Sequence, residues 1–226
     1  MGLDMYMYKV QSVSREEADS LVGLHLDNIR EKYGVIYKSD VDQNQELYLD
    51  ILPYAQEIVA IARVFDEDQF RKDNGIALDD LIVGQGVSVS NNGQEISYIF
   101  ESGKTAKLSL SEYNRYSPEQ DIMVYVYKKE NVAYWRNEHD LNDFISVIRC
   151  AVRTRDYVLK YNEAPSDDDL YDWKVHNCGM YILNNEEKRA VYDYLQKYKS
   201  ERPQHYEKQL EPLLQNDDML AYYAWW

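Results

Sequence analysis

The sequence predicts an α+β protein in which an antiparallel sheet, part of it a meander, packs against several amphipathic helices. Three observations carry this. Residues 3–10 alternate Leu3, Met5 and Met7 with Asp4, Tyr6 and Tyr8, the period of a strand with one face turned inward. Residues 87–110 form short alternating runs interrupted at Asn92-Gly93 and Ser102-Gly103, the turn chemistry that joins antiparallel strands. Residues 141–159 set Leu141, Phe144, Ile145, Ile148, Ala151, Val152 and Leu159 on one helical stripe. With 226 residues the chain can bury a sizeable core, and residues 1–226 are read as a single domain.

The remaining elements follow in chain order. Ser14-Arg-Glu-Glu17 has the form of a capping box. Behind it Ala18, Leu21, Val22, His25, Ile29 and Tyr33 share one helical face, His25 as a structural histidine, and Gly34 supplies the stop. Pro53 suits the start of a helix that turns Tyr54, Ala55, Ile58, Val59 and Ala62 inward. Residues 66–85 are expected as a polar helical piece and a loop, and Ile122–Tyr127 as a further alternating strand. Residues 162–172 are expected as an acidic loop and residues 175–183 as a strand. The helix opening at Asn185 carries Ala190, Val191, Tyr194, Leu195 and Tyr198 on one face.

Composition narrows the function. Lys and Arg number 25 against 40 Asp and Glu, a net charge of −15 that repels phosphate backbones and argues against direct nucleic-acid binding by the surface as a whole. Such a surface favours solubility and association with basic partners. Two cysteines are too few for a disulfide framework, and a reducing cytoplasm is the expected compartment. The chain has no run of about 18 apolar residues, and the myristoylation motif that Met1-Gly2 opens wants Ser or Thr where Tyr6 stands, so no membrane attachment is expected. Tyrosine is the outlier, 22 residues against 4 Phe and 4 Trp. A tyrosine ring buries apolar area and keeps a hydroxyl, which suits half-buried strand faces and binding surfaces alike.

Candidate sites are few. His176, Cys178, His139 and Cys150 do not follow zinc-ligand spacing, and Cys178 has no local base to generate a thiolate. Asp167-Asp168-Asp169 lacks the acceptor and glycine spacing of a calcium loop, and Gly84-Gln-Gly86 lacks that of a phosphate loop. No metal or cofactor is expected. Two surfaces remain as interaction candidates. One is the acidic stretch with Glu163, Asp167, Asp168, Asp169 and Asp172; the other is the aromatic cluster Tyr222, Tyr223, Trp225 and Trp226, which either docks onto the body or forms an interface, including one between copies of the chain. A small-ligand pocket built from Asp4, Tyr134, Trp135, Arg136 and His139 is the alternative, since a guanidinium beside aromatic rings can pin a carboxylate. The competing arrangement pairs Arg136 internally with Asp4.

The opening Met1-Gly-Leu-Asp-Met-Tyr6, the segment Tyr134-Trp135-Arg136 and the later Cys178-Gly-Met-Tyr181 together resemble a group of uncharacterised phage and bacterial proteins with an MGLDMY start, a YWR segment before a helix and a CG-x-Y strand. The departures are a histidine and a Trp-Phe pair that family members carry after the arginine, where this chain holds Asn142, Asp143 and Phe144. Residues 11–130 are longer than the resemblance implies and read as an insertion. The resemblance implies a viral or mobile-element origin and no particular reaction. The combined expectation is binding rather than catalysis: an acidic protein that engages a basic surface of a host protein, in the host cytoplasm, and inhibits a nucleic-acid-handling or defence system. An enzyme or small-ligand-binding protein is the alternative.

Overall fold

The computed structural model describes residues 2–90, 93–198, 214–215 and 217–226. Met1 of the opening motif, Asn92 of the expected turn and the side chain of Tyr198 lie outside them. The chain forms two compact units, one of residues 1–22, 28–58 and 123–226, the other of residues 23–27 and 59–122. Both are α+β in character, with antiparallel sheets, and no helix among the described residues is long and apolar enough to cross a membrane.

In chain order the elements are β1 (Asp4–Gln11), α1 (Arg15–Leu21), α2 (Leu26–Arg30), β2 (Tyr33–Tyr37), α3 (Lys38–Gln43), β3 (Gln56–Arg63) and α4 (Glu67–Asp73). Next come β4 (Ile82–Ser90), β5 (Gly93–Phe100), β6 (Thr105–Ser109), α5 (Leu110–Arg115), β7 (Glu119–Arg136), α6 (His139–Tyr161), α7 (Asp167–Asp172), β8 (Met180–Leu183), α8 (Asn185–Tyr198) and β9 (Leu220–Trp225).

The larger unit is organised by a sheet of order β2-β7-β1-β9-β8. Alternation along the strands divides its side chains between two faces. One face carries Leu3, Met5 and Met7 of β1, Ala133 and Trp135 of β7, Tyr181 and Leu183 of β8, and Leu220, Tyr222 and Ala224 of β9. Leu141 and Ile145 of α6 and Val191 and Leu195 of α8 cover this face. The opposite face carries Tyr8, Val10, Tyr127, Met180, Ala221 and Tyr223, covered in part by Val41, Tyr48, Ile51 and Leu52.

The smaller unit holds the meander β4-β5-β6, as expected from its alternating runs, over a core of Phe70, Ile96, Tyr98, Phe100, Leu108 and Tyr116. Phe65 stacks on Tyr98 and Tyr113 there, at 5.6 and 5.0 Å between ring centroids. Arg71, buried, donates from Nη1 to the carbonyl oxygen of Ala77 and from Nε to Glu67, which ties α4 to the loop behind it.

Several elements differ from the sequence expectation, each for a physical reason. The helix expected from Pro53 is instead a single tight turn, after which residues 56–63 run as β3. Ile58, Ala60 and Ala62 are buried with period two, and the β-branched Ile58, Val59 and Ile61 suit extended backbone. The first helix keeps its Ser14 cap but stops at Leu21, because Gly23 takes φ +79°, outside helical space. His25 therefore leaves the expected apolar stripe and bridges to Ile61. The acidic stretch is partly helical: Ser166 and Asp169 form a capping box that opens α7, and the first-turn aspartates sit where the helix dipole favours negative charge. The strand expected over 175–183 begins only at Met180, and Leu159, at 77% exposed, has left the buried stripe of α6.

Gly34 does not stop a helix. It lies inside β2 opposite Tyr127, whose ring covers its Cα so closely that an added Cβ would sit 2.1 Å from Cζ of the ring. Tyr127 is buried and its strand is paired on both sides, so the ring has little room to yield. Gly34→Ala is expected to cost about 1–3 kcal/mol of stability through overpacking. Urea unfolding measures it, and an unchanged midpoint would mean the ring rotates away freely.

Candidate functional site

The partly covered sheet face holds a cleft of about 480 Å³ lined by Tyr6, Tyr8, Asp40, Tyr48, Tyr127, Lys129, Cys178, Met180, Tyr223 and Trp225, among others. Three adjacent strands supply most of these residues. Register sets Tyr6 across from Tyr134 on one side and from Tyr223 on the other. The β1–β7 pairing shifts between Met7 and Tyr8: Met7 pairs with Ala133, while Tyr8 pairs with Asn131, so Val132 is the extra residue. This bulge changes the parity of β7. Tyr134 and Arg136, even-numbered, lie on the same face as Tyr127 and Lys129, odd-numbered, and Val132 turns into the helix-covered core.

Four rings on this face, Tyr6, Tyr8, Tyr134 and Tyr223, form a continuous group. Tyr6 stacks on Tyr8 at 5.7 Å and an interplanar angle of 4°, and tilts against Tyr134 at 5.0 Å and Tyr223 at 6.1 Å. The Lys129 ammonium lies 5.0 Å from the centroid of Tyr8, a cation–π arrangement. Burial, and then the neighbouring Tyr6 hydroxyl, push the Tyr8 hydroxyl up to about 12. Burial also raises Tyr48, Tyr127 and Tyr223, the last aided by the Cys178 sulfur beside it. All these phenols are therefore neutral donors at ordinary pH. Lys129 is shifted the other way: burial first, and then Arg30, lower its pKa. Cys178 is in the left-handed region at φ 65°, and its backbone N–H donates to the carbonyl of Ala224, which fixes the turn beneath Trp225.

The far wall of the cleft belongs to the segment that carries Tyr48, and a buried charge cluster fastens that segment to α6. Asp50 accepts from Arg149 at 2.8 Å and from Arg153 at 3.1 Å, and the Arg149 guanidinium lies over the Tyr181 ring at 4.4 Å. Arg149 is 4% exposed, with Nε and Nη1 lacking partners among the described residues, as are Nε of Arg153 and Oε1 of Glu187. Internal water is the usual partner of such groups.

Of the residues expected to form a ligand pocket, the structure brings Asp4, Tyr134 and Arg136 together and places Trp135 and His139 elsewhere. Trp135 is 2% exposed and faces the helices. Tyr134 donates to Asp4 at 2.6 Å, while Arg136 stands 3.9 Å from the same carboxylate with its side chain 68% exposed, a weak internal pair. His139 is the exposed first residue of α6. Only Tyr134, through Tyr6, adjoins the cleft.

The aromatic cluster is divided too. Tyr222 is fully buried and donates to Asn142 at 2.8 Å; Tyr223 and Trp225 line the cleft. Trp226 is 40% exposed, with its backbone N–H bonded to Asn177. In the acidic stretch, Asp169 is occupied by Ser166, which holds its carboxyl below the usual range; Glu163 accepts from Tyr157, and Asp167, Asp168 and Asp172 are exposed.

Sequence reasoning did not single out Tyr6, Tyr8, Tyr48, Tyr127 or Lys129 as site residues. The available signal was the i, i+2 tyrosine pair in β1, opposite in parity to the buried methionines. The fold and the cleft define an α+β protein with a tyrosine-lined recess on an antiparallel sheet. No protein-family model matches the chain, and no curated protein or solved structure matches it either.

Burial raises the carboxyl pKa of Glu187 above its ordinary 4.5, against the opposing effects of its bond from the Asn184 N–H and of Arg149 and Arg153. The neutral form therefore stabilises the fold in full below the unfolded value, and this stability is lost as pH rises through the folded pKa. Glu187→Gln keeps an acceptor for Asn184 and removes the titration. The variant should gain stability relative to the native chain between about pH 4 and pH 7, measured by urea unfolding at both. A constant difference would show that the carboxylate is solvated.

Proposed function

We propose that this is a binding protein whose site is the tyrosine-lined cleft, and that its ligand presents a flat apolar or aromatic group to it. The observation that carries this is the convergence of six aromatic rings, Tyr6, Tyr8, Tyr48, Tyr127, Tyr223 and Trp225, on one recess of about 480 Å³. That size lies in the range of small-molecule sites, about 300–1,000 Å³. Ring faces give contact area with few rotors to immobilise, and neutral hydroxyls give orientation. Met180 lines the cleft and provides a reporter. In a chain labelled at methionine methyl groups, indole, tyramine, indole-3-acetate and adenosine are each titrated to millimolar concentration. At least one is expected to shift the Met180 resonance, with the shift lost in Tyr8→Ala; no movement with any probe overturns the reading.

A second reading is favoured by the exposed carboxylates of Asp167, Asp168 and Asp172, which form no ion pair among the described residues. With a net charge of −15, they would steer a basic protein surface toward the chain. The resemblance to phage and bacterial proteins supports a host protein as that partner, a component of a nucleic-acid-handling or defence system. Affinity capture from a host lysate at low and high salt tests it. The native chain should retain a basic protein that both salt and Asp167→Asn/Asp168→Asn/Asp172→Asn release, and retention indifferent to the triple substitution would remove the reading.

A further inference from the structure

Next to the cleft lies a second recess of about 250 Å³, lined by Lys9, Lys32, Lys128, Lys129 and Glu130 among others. Four lysines thus gather at one place on a chain of net charge −15. Two of them are neutralised: Lys9 pairs with Asp218 at 2.6 Å and Lys128 with Glu17 at 2.8 Å. Lys32 and Lys129 form no ion pair among the described residues, and neither does Arg30, whose guanidinium donates to the Tyr37 hydroxyl. Lys129 borders both recesses, with its ammonium over the Tyr8 ring.

This juxtaposition specifies the ligand more closely than the cleft alone. Ring faces attract a flat π-system, and stacking on an aromatic side chain is worth about 1–3 kcal/mol per nucleobase. An ammonium is a compact point charge suited to phosphate, and Lys129 is exposed and forms no ion pair among the described residues. A monocarboxylate would satisfy one such cation; a phosphate dianion can satisfy two. We propose that the site takes a nucleotide, with the base among Tyr6, Tyr8 and Trp225 and the phosphate on Lys129 and Lys32. Neutral phenols at Tyr48 and Tyr223 are donors for the acceptor atoms of the base or sugar. The inference rests on the cleft being a ligand site, and it adds the chemical class of what binds there.

The test titrates AMP, GMP, CMP and UMP, the four parent nucleosides, inorganic phosphate and indole-3-acetate into the full chain at about 0.1 M salt, read by calorimetry and by the Met180 methyl resonance. At least one nucleotide should bind about tenfold or more tightly than its nucleoside, the scale of one charge-assisted contact. Lys129→Ala and Lys32→Ala should each reduce that advantage and together abolish it, and Lys129→Arg should retain most of it. The proposal is overturned if no nucleotide binds more tightly than its nucleoside, if the advantage survives Lys129→Ala combined with Lys32→Ala, or if indole-3-acetate matches the best nucleotide. A nucleoside that moves Met180 with no gain from its phosphate removes the nucleotide and keeps the cleft as a site; a silent Met180 with every probe removes both.

Discussion

The main sheet depends on the placement of β1 between β7 and β9, hydrogen-bonded to both. A strand paired on both sides cannot slip by one residue without turning its whole apolar set to the other face. Leu3, Met5 and Met7 hold the register by their burial beneath α6 and α8. That register obliges Tyr6 and Tyr8 to face the other way, and antiparallel pairing carries the same choice across to Tyr134 and Tyr223. The tyrosine face follows from packing on the opposite side.

The bulge at Val132 sets the composition of the cleft. A regular ladder would keep even-numbered residues of β7 on the open face throughout, and would send Tyr127 and Lys129 into the helices. One inserted residue lets Trp135 fill the core and Lys129 reach Tyr8 on the same sheet. Gly34 completes the arrangement by leaving room for the Tyr127 ring, and the Asp50 clamp on Arg149 and Arg153 holds the segment that carries Tyr48. Breaking a buried pair of this kind leaves an uncompensated charge, so the wall of the cleft is tied to the stability of the unit.

Charge is distributed unevenly around this frame. The chain is strongly acidic, yet the end of the sheet where β1, β7 and β2 meet gathers Lys9, Lys32, Lys128 and Lys129. Net acidity disfavours an extended polyanion on the surface as a whole but says little about one recess a few ångströms wide, where local groups dominate over distant screened ones.

Local periodicity made much of the fold legible in the sequence. β1, the meander, α6 and α8 were readable because each buries one face and repeats its apolar residues at the period its backbone requires. β3 was not, because Tyr54, Ala55, Ile58, Val59 and Ala62 satisfy a helical stripe as well as Ile58, Ala60 and Ala62 satisfy a strand, and tertiary packing decided between them. The site was less legible. Tyr223 and Trp225 stood out as an aromatic run, whereas Tyr6, Tyr8, Tyr127 and Lys129 lie far from them in sequence and carry no motif. The sequence by itself determined the α+β class, the acidity and the excess of tyrosine. Only the tertiary structure decided which tyrosines share a face with a lysine, because strand order and a one-residue bulge are set by long-range pairing and not by any local pattern.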